Sequence, residues 1–97
     1  MDLGLTDRVA MVTGGSRGLG KQIASTLARE GCKISICARS QEDLDATLRE
    51  FEHLRYEACG TVADVTDTED GGRFHQDTIN ALGHPDILVN NVGGRRG

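Results

Sequence analysis

Four short apolar runs alternate along this 97-residue chain with three stretches in which apolar residues recur at helical spacing. The runs cover residues 9–12, 34–37, 56–63 and 86–90, and each is typical of a strand buried in a sheet, although Gly60 weakens the third. Strands that alternate with helices of about 10–15 residues form a parallel sheet through right-handed crossovers, with helices on both faces. The order β-α-β-α-β-α-β therefore predicts an α/β fold with a doubly wound parallel sheet.

Residue types typical of helix ends mark where the three helices begin and stop. The first helix is expected to end at Gly31, because glycine readily takes the positive φ of a helix C-terminus. Ser40, followed three residues later by Asp43, resembles a capping box and predicts the start of the second helix. Thr66 and Glu69 form another capping box, which predicts the start of the third.

Composition limits what such a fold can bind. A net charge of −4 and a pI near 5.2 have the wrong sign for non-specific binding to nucleic acid or to an anionic membrane. No apolar run is long enough for a transmembrane helix or a secretory signal, and residues 1–97 fit one small domain. The odd set of Cys32, Cys37 and Cys59 has no metal-ligand spacing with the histidines, so we expect a cytoplasmic protein without disulfides or a metal site.

A glycine-rich segment, residues 13–20, joins the first strand to the first helix. The free N–H groups and the dipole of a helix N-terminus favour an anion such as phosphate. Gly14 would allow the tight turn, Gly18 would let the backbone approach a pyrophosphate, and Gly20 would let the helix pack close to the strand. We therefore expect this loop to bind the phosphates of a nucleotide.

Two other motifs overlap the same loop. Residues 14–18 match G-x-S-x-G, the nucleophile elbow of serine hydrolases, but only thirteen residues precede Gly14, too few for the strand and oxyanion-hole loop that an elbow needs. Residues 15–21 match a P-loop up to its last position, where Gln22 replaces the Ser or Thr that binds magnesium. Neither alternative explains the residues at the other strand ends.

Polar residues follow each of the later strands. Arg39 comes after the second strand, Asp64-Val65 after the third, and Asn90-Asn91-Val92-Gly93 after the fourth. Together with the loop motif T-G-x-x-x-G-x-G, the D-V pair and D-I-L-V-N-N-x-G resemble the classical short-chain dehydrogenases/reductases. The resemblance covers essentially the whole chain and is strongest to the 3-oxoacyl-acyl-carrier-protein-reductase-like branch. It implies the amino-terminal part of one Rossmann-type, NADP-binding domain, with about its first four strands.

The resemblance also implies roles for individual residues. Asp64 would hold the adenine amino group, Val65 would lie at the edge of the adenine ring, and Asn91 and Gly93 would lie along the adenosine ribose. A purely structural role for Asn91, bonding backbone between strands, is the alternative. With the loop and the residues after the second strand, the expected cofactor-binding set is Gly14, Ser16, Arg17, Gly18, Leu19, Gly20, Arg39, Ser40, Asp64, Val65, Asn91 and Gly93.

Charge at the end of the second strand predicts which cofactor binds. An NAD-binding fold has an Asp or Glu there for the ribose 2′-hydroxyl, whereas this chain has Arg39 and Ser40, with no carboxylate before Glu42. A guanidinium and a hydroxyl suit the 2′-phosphate of NADP, and Arg17 could approach it from the glycine loop. We therefore expect NADP (NADPH) as the cofactor.

The residues that carry out the reaction in this family are not found in the sequence. The family uses a Ser and a Tyr with a Lys four residues later, but the single tyrosine, Tyr56, is followed at that spacing by Gly60. We predict the nucleotide-binding portion of an oxidoreductase that transfers hydride between NADPH and a carbonyl or alcohol substrate, with no catalytic residue of its own. The alternative is a truncated fragment that binds nucleotide weakly or acts only as a partner of other chains. With either function, we expect the chain to associate through the open edge of the fourth strand, residues 87–89.

Overall fold

The chain folds in the predicted order of strands and helices. A computed structural model describes residues 4–91. The elements are β1 (Val9–Thr13), α1 (Gly18–Arg29), β2 (Lys33–Ala38), α2 (Gln41–His53), β3 (Ala58–Val62), α3 (Thr68–Leu82) and β4 (Ile87–Val89). Among residues 4–91, no helix is both long enough and apolar enough to cross a membrane.

The four strands form one parallel sheet in the order β3-β2-β1-β4. Ala10 of β1 is paired with Ile34 on one side and with Ile87 on the other. Because all strands are parallel, their carboxyl ends meet at one edge of the sheet, which is where ligands bind in open α/β folds. The predicted doubly wound α/β fold is confirmed, with β4 beside β1.

Helices cover both faces of the sheet. On one face, Ala24 of α1 and Phe51 of α2 are buried against the strands. On the other face, Phe74 of α3 packs in a smaller cluster with Met11 and Cys37. All five residues of β1 are buried, as expected for a strand with a neighbour on each side and a helix on each face.

A pair of buried hydroxyls joins the sheet to α3. The Oγ atom of Ser35 lies 2.6 Å from Oγ1 of Thr78, and neither residue is exposed to solvent. The Thr78 hydroxyl donates to the carbonyl of Phe74 at 2.8 Å, so the Ser35 hydroxyl is the donor to Thr78. Each buried polar group thus has a partner, as a stable core requires.

The predicted cap of the second helix is confirmed, but that of the third is wrong. The Asp43 N–H donates to Ser40 Oγ at 3.2 Å. The cap of α3 is Asp67, whose carboxylate accepts from the N–H groups of Glu69 (2.9 Å) and Asp70 (3.2 Å). Thr66 lies one position before this cap, and its hydroxyl donates to the carboxylate of Asp64 instead.

Both outer strands are shorter than predicted. The N–H of Tyr56 donates to the carbonyl of Phe51 at 2.9 Å and the two rings meet edge to face, so Tyr56 packs on the last turn of α2 and precedes β3. Asp86 precedes β4: its N–H donates to the Val9 carbonyl, and its carboxylate accepts from the Val9 N–H at 3.0 Å and from Arg8 at 3.4 Å. In the described part of the chain β4 is an edge strand, and Leu88 is 65% exposed.

Gly60 lies in β3 directly beneath α2. A Cβ atom there would be 2.6 Å from Cδ1 of Leu44 and 3.1 Å from Cδ1 of Leu48. Leu44 is only 2% exposed, so it has little room to move away. The glycine that weakens this strand in isolation is therefore what lets the helix approach it.

We predict that Gly60→Ala lowers the free energy of unfolding by about 1–2 kcal/mol, because overpacking a filled core forces side chains off their preferred rotamers. Urea denaturation of the purified chain measures this. The matched control is Gly72→Ala in α3, where a Cβ meets nothing within 4 Å and where alanine adds about 0.5–1 kcal/mol of stability. Equal effects of the two substitutions would contradict the packing account.

Candidate functional site

The loop between β1 and α1 has the geometry that its glycines predict. Gly14 has φ of +64° and Gly18 has φ of +49°, a region that residues with a Cβ rarely adopt. At Gly20, a Cβ atom would overlap the carbonyl oxygen of Gly14 and lie 2.6 Å from Nδ2 of Asn91. The first turn of α1 therefore packs directly on the loop that leads into it.

Gly15 has a structural role that the motif does not reveal. A Cβ atom at this position would lie 2.5 Å from Cγ2 and 2.7 Å from Cβ of Ile36, which is fully buried in β2. The Gly15 N–H also donates to the carbonyl of Cys37 at 3.2 Å. The loop is thus tied to β2 as well as to β1.

α2 holds the outer side of the same loop. Thr47, 3% exposed, donates through its hydroxyl to the carbonyl of Ser16 at 3.3 Å. One turn after Thr47 in α2, Glu50 forms an ion pair with α1: its Oε1 atom is 2.7 Å from Nζ of Lys21. These contacts join residues about thirty positions apart and set the distance between α1 and α2.

Arg17, expected to approach a phosphate, is paired with Asp43 in the first turn of α2. Its Nε and Nη2 atoms lie 3.1 Å and 2.9 Å from the same oxygen, Oδ2. The Arg17 side chain is 80% exposed and that of Asp43 33% exposed. Exposed ion pairs contribute only about 0–1 kcal/mol, so an incoming anion can compete for Arg17.

Arg39 stands at the end of β2 without such a partner. Its side chain is exposed and makes no hydrogen bond or ion pair with any residue between 4 and 91. Ser40 beside it accepts from the Asp43 N–H, and its own hydroxyl hydrogen can still be donated. The end of β2 therefore offers a cation and a hydroxyl to the same region.

The carboxylate at the end of β3 is kept ionised by its neighbour. Oδ1 of Asp64 accepts from the Thr66 hydroxyl at 2.6 Å and from the Thr66 N–H at 3.0 Å. These two bonds hold the pKa of Asp64 below its usual value, with a smaller contribution from the positive charge of Arg39. An ionised carboxylate only accepts hydrogen bonds, so it is a suitable partner for a ligand's amino group, which donates them.

Asn91 follows β4 and lies against the glycine loop. Its N–H donates to Oγ1 of Thr13 at 2.7 Å, and its side-chain Nδ2 occupies the space beside Gly14 and Gly20. The Asn90 side chain is 3.5 Å from the same Thr13 hydroxyl. Asn91 thus joins neighbouring strand ends and also lines the cleft.

These residues surround one cleft of about 430 Å³ at the carboxyl edge of the sheet. Eight of the twelve predicted residues line it: Gly14, Ser16, Arg17, Arg39, Ser40, Asp64, Val65 and Asn91. Five further lining residues were not predicted: Cys37, Ala38, Asp43, Ala63 and Thr66. Gly18, Leu19 and Gly20 belong to the turn into α1 and do not line the cleft, Leu19 being 63% exposed. Gly93 lies outside the described residues.

A second groove of about 460 Å³ runs between α2 and β3. Asp45, Arg49, Glu52 and Tyr56 are among its lining residues. It is remote from the glycine loop and from the carboxyl ends of the strands. The two volumes are similar and do not show which one binds a ligand. The cleft is therefore taken as the candidate site because the glycine loop and the polar residues at the strand ends line it.

Comparison with known proteins agrees with this arrangement. A sequence model of the family described as short chain dehydrogenase matches residues 8–97. The chain belongs to this family. An uncharacterized oxidoreductase of Mycobacterium tuberculosis is 38% identical over 90 residues, which are 93% of this chain and 34% of that protein. A tropinone reductase homolog of Arabidopsis thaliana is 36% identical over 90 residues, 92% of this chain and 34% of that protein.

Solved structures of short chain dehydrogenases share the fold as well. A variant of actinorhodin polyketide ketoreductase, solved with NADPH, superposes with a TM-score of 0.88 at 36% identity and covers 100% of this chain and 36% of its own. The chain therefore spans about a third of the length of the relatives it matches. The Rossmann-type fold and the family resemblance predicted from the motifs are both confirmed.

We predict that Thr66→Val raises the pKa of Asp64 toward its usual value, because the stronger of its two hydrogen bonds is lost. A lowered folded-state pKa contributes stability above the unfolded pKa, and that stability is lost as the pH falls through the folded value. In Thr66→Val this contribution should be smaller, and its loss should be complete at a higher pH. A ¹³C NMR titration of the Asp64 carboxyl group measures the shift, and Thr68→Val, exposed in the first turn of α3, is the control. An unchanged Asp64 titration in Thr66→Val would refute the assignment.

Proposed function

We propose that this chain forms the NADP-binding portion of an oxidoreductase that transfers hydride between NADPH and a carbonyl or alcohol substrate. The observation that most directly supports this proposal is the uncapped N-terminus of α1. Its N-cap, Arg17, makes no side-chain cap and its first turn holds no acidic residue, whereas α2 and α3 have Ser40 and Asp67 as caps and acidic first turns. Free N–H groups and an uncompensated dipole are what a pyrophosphate needs.

The residues around the cleft fit the rest of a dinucleotide. The ionised Asp64 is a suitable acceptor for the adenine amino group, and Val65 offers an apolar edge beside it. Asn91 lies next to Gly14, a position suited to the adenosine ribose. When bound, the nicotinamide cofactor supplies the hydride. The described residues bind and orient the nucleotide half of that cofactor.

The preference for NADP over NAD rests on Arg39. This guanidinium has no ion-pair partner among residues 4–91, and Ser40 beside it can donate a hydroxyl to the same phosphate. A relative of similar fold, the actinorhodin polyketide ketoreductase, was solved with NADPH. The contribution of Arg17 is smaller than its sequence position suggests, because Asp43 already occupies it.

We predict that the chain binds NADPH about ten- to a hundredfold more tightly than NADH, because a charge-assisted contact contributes roughly 1.5–3 kcal/mol. In Arg39→Ala this preference should disappear while NADH binding stays unchanged. Fluorescence or calorimetric titration with both nucleotides measures it. Arg49→Ala, which removes the same charge from the outer groove, is the matched control. Equal affinities in the unmutated chain would end the claim for NADP.

We also predict that the 97 residues do not themselves reduce carbonyls. Tyr56 packs on Phe51 at the end of α2 and is not among the residues lining the cleft. The sequence contains no Tyr-x-x-x-Lys pair to donate the proton that the reaction needs. The test is loss of NADPH absorbance with a panel of ketones and aldehydes. Turnover above that of the denatured chain would contradict the prediction.

The alternative function is weak nucleotide binding or association without catalysis. The observation that favours it is β4, whose outer edge is open in the described part of the chain and whose Leu88 is largely exposed. Open strand edges with apolar side chains are prone to pair with other chains. We propose a cytoplasmic location for either function, because the sequence contains an odd number of cysteines.

A further inference from the structure

We propose that Asp43 is a specificity-determining residue of the cleft, which holds the Arg17 guanidinium and thereby lowers the preference for a 2′-phosphate. The inference rests on the proposed nucleotide function and concerns a residue that the binding motif does not include. Asp43 belongs to α2, whereas the motif belongs to the loop between β1 and α1.

The carboxylate of Asp43 is fixed more firmly than the guanidinium it binds. Its backbone N–H is bound to Ser40 Oγ, and α2 is attached to the glycine loop by the buried Thr47 hydroxyl on the Ser16 carbonyl. Arg17 reaches it with a long side chain that is 80% exposed. When a ligand competes, the residue that moves is therefore Arg17.

Formal charges in the cleft cancel in the absence of a ligand. The ionisable carboxylates and guanidiniums lining it are two of each: Arg17 and Arg39, Asp43 and Asp64. A 2′-phosphate with up to two negative charges is attracted by Arg39, but it can also bind Arg17 only by drawing that guanidinium away from Asp43. The ribose 2′-hydroxyl of NAD carries no charge and meets no such cost.

Asp43 could affect phosphate binding in two ways: it orients Arg17, and its negative charge repels the phosphate. The repulsion is the larger effect. Ion pairs this exposed hold their side chains weakly, so little preorganisation is lost when Asp43 is neutralised. The negative charge of Asp43, in contrast, acts on any anion that approaches Arg17. Neutralising it should release one guanidinium, which can bind phosphate through two parallel hydrogen bonds.

The test compares the unmutated chain with Asp43→Asn, titrated with NADP⁺, NAD⁺, adenosine 2′,5′-bisphosphate and AMP. We expect Asp43→Asn to bind the two 2′-phosphorylated ligands about three- to tenfold more tightly, and the other two within about twofold of the unmutated chain. The gain should increase at low salt, where charges are screened less. Asp45→Asn is the matched control, because its carboxylate lies on the same helix but bonds Gln41 and faces the outer groove.

Two further measurements test the part played by Arg17. In the background of Arg17→Ala, the gain from Asp43→Asn should be much smaller than in the chain that retains this arginine. The Nε–H resonance of Arg17 in ¹H–¹⁵N spectra should move when adenosine 2′,5′-bisphosphate is added and should stay when AMP is added. Circular dichroism of each variant checks that the fold is kept.

The inference is overturned if Asp43→Asn leaves the ratio of 2′-phosphate to 2′-hydroxyl affinity unchanged or lowers it. An equal gain in Asp45→Asn, or a full gain without Arg17, would overturn it as well. Equal binding of NADP⁺ and NAD⁺ by the unmutated chain would contradict the proposed cofactor preference. The inference about Asp43 would still be tested by whether Asp43→Asn raises the ratio of 2′-phosphate to 2′-hydroxyl affinity. Failure of all four nucleotides to bind any variant would contradict both.

Discussion

Gly20 packs on the backbone of Gly14, and this contact brings the start of α1 to the end of β1. Any side chain at Gly20 would separate the helix from the strand, because it would meet the Gly14 carbonyl and the Asn91 amide at once. The N-terminal N–H groups of α1 would then no longer lie at the edge where the strands end. The position of the glycine loop at the edge of the cleft follows from this close approach.

Charge in the cleft is balanced rather than uniformly positive. Each arginine has a carboxylate near it: Arg17 contacts Asp43, and Arg39 is close enough to Asp64 to lower the pKa of that carboxyl. In the function proposed above, N–H groups and hydrogen bonds would bind the dinucleotide, and the arginines would choose between cofactors. The proposal thus assigns selectivity to the ends of β2 and α2, and binding to the loop before α1.

The fold could be predicted from the sequence because its signals are local. Apolar runs and helical stripes identify every strand and helix, and the glycine loop followed by Asp64 and Asn91 identifies the cleft. What could not be predicted depends on contacts between distant residues, such as Thr47 with Ser16 and Asp43 with Arg17, 31 and 26 positions apart. The cap of α3 was missed for a different reason.

Two adjacent residues, Thr66 and Asp67, both have the chemistry of an N-cap, and the sequence pattern alone favours Thr66. Their roles separate only when the turn after β3 puts the Thr66 hydroxyl on Asp64. Gly15 was missed because its neighbour, Ile36, lies on a different strand. In each case the deciding partner becomes visible only after the chain has folded.

Asp86, at the opposite end of the sheet from the cleft, has an effect on the cleft itself. Its N–H donates to the Val9 carbonyl and its carboxylate accepts from the Val9 N–H. These two bonds fix the register of β4 against β1 just before the three residues of β4 begin. Sliding a strand by one residue turns each of its side chains to the opposite face. Were β4 to slip in this way, Asn90 would replace Asn91 beside Gly14. By fixing the register of β4, Asp86 therefore determines which of the two asparagines lies in the nucleotide cleft, several residues away.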